Sequence, residues 1–325
     1  MRSKIRWVTL LRFFPKKFFV SNSFIRKLHK GYLYIFLLPS LGFIVVFFLI
    51  PVILTFLIGL TKMDYSFRWD WIGLGNYIYI LRDKWAYKIL SNTLFYVFTT
   101  LAFFNVGMAL FISIATTHIN DKIGSIFRSI WLLPRITPST VYALLWLWAT
   151  RGEASSLFNW LASLFGLHPI DWKLTYPWLL VILVNGFVGT SFGMIIFTAA
   201  LKSIPEDYIR AAKVDGASTL QIIRYVELPL IKWPLLFVTA YQTLSLLTSY
   251  EYILLVTDGG PGLYTTEVWA LYSYHLAFAQ YGGIVKFGYG AALATILVII
   301  GLIMSVIYWK VFRFRELMVE PKIEV

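Results

Sequence analysis

The chain has 325 residues, of which 59% are hydrophobic, 18% aromatic and only 14% charged. A soluble domain usually carries about 25% charged residues, so this composition argues against a soluble enzyme or a disordered protein. The absence of cysteine also excludes disulfide frameworks and thiolate chemistry, and lipid is the expected environment of most of the chain.

The first 30 residues form a basic arm that carries nine Lys or Arg residues and no acid. Basic residues are enriched on the cytoplasmic side of membrane proteins, so we expect this arm in the cytoplasm, against anionic lipid headgroups. The same rule places a tail over residues 311–325 on that side. This arrangement explains the net charge of +13 without any nucleic-acid partner.

Six apolar stretches follow, each long enough to cross a bilayer as a helix. Their continuous apolar runs favour helices over the alternating strands of a barrel. The expected fold is therefore an all-α integral membrane protein with six transmembrane helices over residues 31–310 and both termini in the cytoplasm. The predicted spans are Gly31–Leu60, Ile89–Thr116, Ser129–Thr150, Pro177–Leu201, Trp233–Thr257 and Phe287–Trp309.

Polar side chains within these spans are candidates for a translocation pathway, because such groups in lipid usually face a cavity or a partner. Arg135 lies in span three and Glu251 lies toward the outer end of span five. The sequence leaves open whether they touch a substrate, or whether Arg135 extends to the cytoplasmic surface and Glu251 lies at the interface. The other candidates are Asn185 in span four and Gln242, Ser245, Ser249, Tyr250 and Tyr252 in span five.

Alternatives also remain open for these span-five residues. Gln242, Ser245, Thr248 and Ser249 recur at helical spacing, which predicts a common polar face. Such a face suits either a wet pathway or hydrogen bonds between helices. The tyrosines suit either stacking on sugar rings or anchoring at the membrane interface.

The connection between spans four and five, residues 202–232, carries its own structural signals. Ser203 with Glu206 predicts a capping box, Gly216 predicts the end of that helix, and Ser218 with Gln221 predicts a second capping box. We therefore expect two short helices joined at a glycine corner. Spacing alone leaves open whether they form a rigid knob that projects from the membrane or a pair that lies on the lipid.

The segment Ala211-Ala212-x-x-Asp215-Gly216-Ala217, followed by Leu228-Pro229-Leu230, resembles the EAA loop of permease subunits in binding-protein-dependent ABC importers. Other motifs are similar to the carbohydrate branch of that family, and the resemblance covers about residues 31–310 in order. These motifs include Asn92-Thr93-Leu94, Thr257-Asp258-Gly259-Gly260-Pro261-Gly262 and Gly288-Tyr289-Gly290-Ala291-Ala292.

The resemblance implies a type I importer permease in a bacterial cytoplasmic (inner) membrane. Its implied partners are a second permease subunit in a heterodimer, two ATPase subunits that bind ATP and Mg, and an extracytoplasmic solute-binding protein. The implied cargo is a sugar or oligosaccharide, with alginate-type uronate oligomers as one possibility. Arg210 departs from the family, which usually has glutamate there. The residues implied to couple the permease to the ATPase are Arg210, Ala211, Ala212, Asp215, Gly216 and Ala217.

No catalytic, cofactor or metal site of its own is expected in this chain. It lacks the G-x-x-x-x-G-K-[ST] pattern of a phosphate-binding loop. The scattered histidines predict solvated residues near the membrane edge rather than metal ligands. The rival functions are an ion-coupled secondary transporter, which should show internal repeats, and a membrane-bound glycosyl- or lipid-modifying enzyme, which should cluster acids or histidines. The four histidines are His29, His118, His168 and His275.

Overall fold

The computed structural model describes residues 36–278 and 285–311. The predicted basic arm and residues 312–325 of the predicted tail lie outside that part. The chain divides into two units, the first ending at Leu54 and the second beginning at Thr55. Regular structure in the described ranges is helical, and a single isolated bridge joins Thr61 to Trp71.

The helices are numbered here in chain order. They are α1 Phe36–Gly59, α2 Gly75–Ile80, α3 Lys84–Thr117, α4 Asp121–Ile136, α5 Ser139–Ala149, α6 Leu157–Ser163, α7 Trp172–Thr175, α8 Pro177–Lys202, α9 Glu206–Val214, α10 Thr219–Leu230, α11 Lys232–Leu247, α12 Glu251–Val256, α13 Trp269–Ala277 and α14 Phe287–Val311.

Four of these helices, α1, α3, α8 and α14, are long and apolar enough to cross a membrane. They correspond to predicted spans one, two, four and six. Helices α10 and α11 pass the same test only as a pair bent by 67°, so the described residues contain four or five candidate spans. The count of six stays a prediction.

Predicted spans three and five are interrupted in the structure. Helix α4 ends at Ile136 and α5 begins at Ser139, because Thr137 and Pro138 adopt extended backbone angles and proline has no N–H to continue the helix. Likewise, α11 ends at Leu247 and α12 begins at Glu251. Neither of these two spans is one continuous helix.

The core of the second unit is built around α8. More than half of the residues in the apolar window of this helix are buried. Val181 packs in a cluster with Tyr96 of α3, Leu246 of α11 and Leu271 of α13. Apolar and small residues on several sides of α8 therefore allow α3 and α11 to pack against it, which fixes the polar groups described below.

Candidate functional site

The predicted glycine corner is present between α9 and α10. Gly216 has φ +80°, a left-handed conformation that favours glycine, and Ala217 N–H donates to the Ala212 carbonyl at 2.9 Å. Ser218 and Gln221 form the predicted capping box at the start of α10. The two short helices and their sharp junction are therefore confirmed.

The first predicted capping box is wrong. Helix α9 begins after Pro205, which supplies no side-chain cap. Ser203 instead lies at the end of α8, where its hydroxyl donates to the Ala200 carbonyl at 2.7 Å. Since α8 extends to Lys202, Ser203 terminates one helix and leaves Pro205 to open the next.

Helix α9 has no buried residue, and its charged side chains project from it. Arg210 donates to Glu206 one turn earlier, and both side chains are exposed. The corner also presents apolar side chains that sequence reasoning missed: Val214 is 88% exposed and Leu220 is 75% exposed. Both apolar side chains are therefore accessible to a partner at this turn.

Two of the predicted pathway residues meet inside the helix bundle. The Asn185 amide donates to the Ser249 hydroxyl at 2.8 Å and also to the Tyr96 hydroxyl. Tyr96 is fully buried, and sequence reasoning missed it because aromatic residues are abundant throughout the chain. Helix α3, helix α8 and the segment between α11 and α12 are joined here.

The span-five residues with the predicted common face lie in different environments. Gln242 is buried, and its amide donates to the Gly189 carbonyl of α8 at 2.8 Å. Ser245 and Thr248 are exposed. Gln242 therefore contributes to packing between helices, whereas Ser245 and Thr248 lie on the accessible side of predicted span five.

The two ionisable candidates are both exposed. The Arg135 guanidinium lies 5.6 Å from the ring centroid of Phe192, in a cation–π contact. Glu251 opens α12 and accepts a hydrogen bond from Ser139, the first residue of α5 after the break in predicted span three.

The two candidate tyrosines contact other aromatic rings of the chain. Tyr250 stacks on Tyr274 with centroids 5.3 Å apart, and Tyr252 meets Tyr142 edge-on at 5.9 Å. Each ring thus uses part of its surface for packing within the fold.

Two motifs that are distant in sequence come together at the glycine-rich loop, residues 257–268. The Asn92 amide donates to the carbonyls of Tyr264, Thr265 and Glu267 at 2.9, 3.3 and 3.0 Å. The Thr93 hydroxyl accepts from the backbone N–H of Trp269 at 2.8 Å. Helix α3 therefore holds the shape of this loop directly.

A cluster of three ionisable residues, two of them buried, lies at the same loop. His275 Nδ1 lies 2.7 Å from Glu267 Oε1 and His275 Nε2 lies 3.0 Å from Asp258 Oδ1, while His275 is only 1% exposed. The prediction that this histidine is solvated is therefore wrong. A Cβ atom on Gly259 would lie 1.8 Å from Glu267 Oε2, so only glycine fits against the carboxylate.

The two buried members of this cluster, Glu267 and His275, retain protons more tightly than the isolated groups would. Burial raises the pKa of the Glu267 carboxyl, and the hydrogen bond from His275 offsets this only in part. Burial alone would lower the pKa of His275, but the hydrogen bonds and charges of Glu267 and Asp258 raise it above the ordinary value of 6.5. All three residues lie outside the helices that are long enough to cross a membrane.

Comparisons with known proteins agree on one class of membrane protein. Residues 105–313 match the family described as "Binding-protein-dependent transport system inner membrane component". The chain is 29% identical over 292 residues to the trehalose/maltose transport system permease protein MalF of Thermococcus litoralis, covering 87% of this chain and 94% of that one. It is 30% identical over 299 residues to the probable ABC transporter permease protein YesP of Bacillus subtilis, covering 87% and 93%.

A further relative and a solved structure extend the comparison. The arabinooligosaccharides transport system permease protein AraP of Bacillus subtilis is 28% identical over 285 residues, covering 85% of this chain and 87% of that one. The fold is similar, with a TM-score of 0.77 and 20% identity, to a chain in the crystal structure of a bacterial ABC transporter involved in the import of the acidic polysaccharide alginate. That match covers 90% of this chain and 99% of the other.

Proposed function

The chain belongs to the family of binding-protein-dependent transport system inner membrane components, and from this premise we propose that it is the permease subunit of an ABC importer for sugars or oligosaccharides. Membership places it in the inner membrane as a multi-pass transport component. The family assignment also disfavours the ion-coupled transporter and the membrane-bound enzyme as explanations.

The observation that carries the proposal is the exposed corner at Gly216. A separate ATPase subunit would bind to the residues around Gly216. These residues are Arg210, Ala211, Ala212, Val214, Asp215, Ala217 and Leu220. ATP and Mg would bind to that subunit, and two such subunits would act on a pair of permeases. The Arg210–Glu206 pair partly neutralises the unusual charge at position 210, and a second, different permease subunit would carry the usual glutamate.

The cargo class follows from the relatives. Their names specify trehalose/maltose and arabinooligosaccharides, which supports a sugar or oligosaccharide delivered by an extracytoplasmic solute-binding protein. The exposed side chains Arg135, Ser245 and Glu251 are our candidates for direct contact with cargo. Asn185, Gln242 and Ser249 have hydrogen bonds to neighbouring helices, so we assign them to the walls that support the pathway.

An anionic cargo such as an alginate-type uronate oligomer is the narrower candidate, and the exposed guanidinium of Arg135 favours it. Uptake of a uronate oligomer and of a neutral glucan should be compared in the wild type and in Arg135→Ala. The substitution should reduce uronate uptake selectively. Absence of any preference in both proteins would remove this candidate.

The assignment of the corner can be tested by substitution and crosslinking. Gly216→Pro should abolish uptake while the complex still assembles, because proline cannot adopt φ +80°. Gly216→Asn should retain most uptake, since asparagine tolerates the left-handed region. A cysteine at Val214 should crosslink to the ATPase subunit in cells. Normal uptake by the proline variant, or no ATPase capture at position 214, would contradict the proposal.

A further inference from the structure

A buried carboxylate behind the glycine corner has no place in the function described so far. Glu227 in α10 is only 5% exposed, and its Oε1 lies 3.3 Å from His118 Nε2 at the end of α3. Its Oε2 is buried and has no hydrogen-bond partner among the described residues. An ionised carboxylate in such a position is costly unless a charged or hydrogen-bonded partner compensates for it.

The His118 side chain is oriented by its own helix. His118 Nδ1 lies 2.9 Å from the Ile114 carbonyl, and a carbonyl only accepts, so Nδ1 carries a hydrogen. Nε2 is the ring nitrogen that faces Glu227, and its contact with Oε1 joins the end of α3 to α10.

The pair borders a cavity of about 530 Å³ between the corner helices and the ends of α3 and α8. The other charged groups that line this cavity are Lys202, Glu206 and Lys213. Glu206 is paired with Arg210, and Lys202 Nζ donates to Asp121 Oδ1 at 2.5 Å, where Arg128 also binds. Two of the three lining groups thus have partners other than Glu227, and His118 is the closest ionic contact of this carboxylate.

We propose that Glu227 and His118 are positioning residues, which connect the ATPase-binding corner to helix α3 through their side-chain contact. The inference rests on the proposed coupling function of the corner. Helix α3 also carries Tyr96 and Asn92, so a displacement of the corner would reach the Asn185 cluster and the glycine-rich loop through this contact.

The test uses the full complex with its partner subunits, reconstituted in vesicles, and measures substrate imported per ATP hydrolysed. Glu227→Leu should lower this ratio about tenfold, within the usual range of coupling between sites. Glu227→Gln should stay close to the wild type, because an amide N–H can donate to His118 Nε2 and so keep a polar contact between the two side chains. Asp70→Asn, an exposed change elsewhere, serves as the control.

Comparison of the two variants separates positioning from simple packing. Leucine fills the space of Glu227 but has no polar atom to contact His118 Nε2, whereas glutamine has one. Wild-type coupling in Glu227→Leu, or a Gln variant as impaired as the Leu variant, would overturn the proposal.

A crosslink distinguishes this proposal from the one on which it rests. Val214→Cys should crosslink to the ATPase subunit in every Glu227 variant, because the Glu227–His118 contact lies behind the surface that contacts the ATPase. If that crosslink fails in the otherwise wild-type chain, the coupling function of the corner is wrong. If it persists while Glu227→Leu couples normally, only the positioning role is wrong.

Discussion

The corner at Gly216 and the glycine-rich loop are both polar connections between long helices, but they are built in opposite ways. The corner presents its ion pair and its apolar residues to the surroundings, and α9 buries none of its residues. The loop instead encloses Glu267 and His275, each at most 2% exposed, and is bonded to α3 through Asn92. The corner is therefore a surface that a partner protein can contact, whereas the loop is held in shape by its own hydrogen bonds.

The energetics of the two regions differ accordingly. An exposed ion pair one helical turn apart contributes about 0.3–0.5 kcal/mol. Removal of one partner from a buried charged pair costs about 3–5 kcal/mol, because the other group is left without compensation. Substitutions in the loop should therefore affect the stability of this subunit, whereas substitutions at the corner should affect its coupling.

The largest effect is expected at the buried cluster. Glu267→Leu removes the carboxylate that lies 2.7 Å from His275 Nδ1 and should lower the free energy of unfolding by about 3 kcal/mol or more. Denaturation of the purified subunit in mixed micelles would measure this loss, with Asp70→Asn as the control. Equal midpoints for Glu267→Leu and the wild type would contradict a structural role for the cluster.

The next largest loss of stability is expected at Asn92, whose side chain holds the glycine-rich loop. Asn92→Ala removes the donor to three backbone carbonyls and should destabilise the subunit by about 2 kcal/mol. Hydrogen exchange should increase first over residues 257–268. Asn92→Asp keeps the shape but lacks the N–H donors, so it should be at least as destabilised. A wild-type exchange pattern in the aspartate variant would show that shape alone suffices.

A smaller change in stability should follow from a change of pH, because titration of Glu267 and His275 weakens their interaction without removing either side chain. The pKa of His275 is raised in the folded chain, so its contribution to stability is present below the ordinary value of 6.5 and is lost as the pH rises through the raised pKa. The raised pKa of Glu267 acts with the same sign. The denaturation midpoint should therefore fall toward alkaline pH. A double variant, Glu267→Gln with His275→Phe, should lack this dependence, and the same slope in that variant would place the titrating group elsewhere.

The smallest effect on stability is expected at the corner. Arg210→Glu replaces an exposed attraction to Glu206 by repulsion and should change the free energy of unfolding by only about 0.5 kcal/mol. Its influence should appear instead in binding-protein-stimulated ATP hydrolysis by the assembled complex. A loss of stability comparable to that of Glu267→Leu would remove the contrast between the two regions.

Local signals in the sequence were enough for much of the fold. Helix α8 starts at Pro177, as predicted, and the Ser218 capping box and the Gly216 turn depend on residues within one helical turn. The interruption of predicted span three is different, because hydropathy continues through Thr137 and Pro138 although the helix does not. Hydropathy averages over a window and does not register a change in backbone direction.

The polar clusters depend on contacts that sequence spacing does not encode. Asn185 of α8 meets Tyr96 of α3 and Ser249 of the segment after α11, and two partners of His275 come from the loop that precedes α13. The motifs at Asn92 and at the glycine-rich loop were both recognised, but their contact spans more than 170 positions. The packing of α3 beside the loop is what brings the two motifs into contact.

The interruption between α4 and α5 has a consequence for what surrounds the assembled subunit. A helix end leaves several carbonyl groups without donors from the same helix, and a bilayer interior offers none. If residues 129–150 cross the membrane as predicted, acyl chains must be excluded beside Thr137. A neighbouring polypeptide or a column of water must occupy that side, which orients this face of the subunit away from the surrounding lipid.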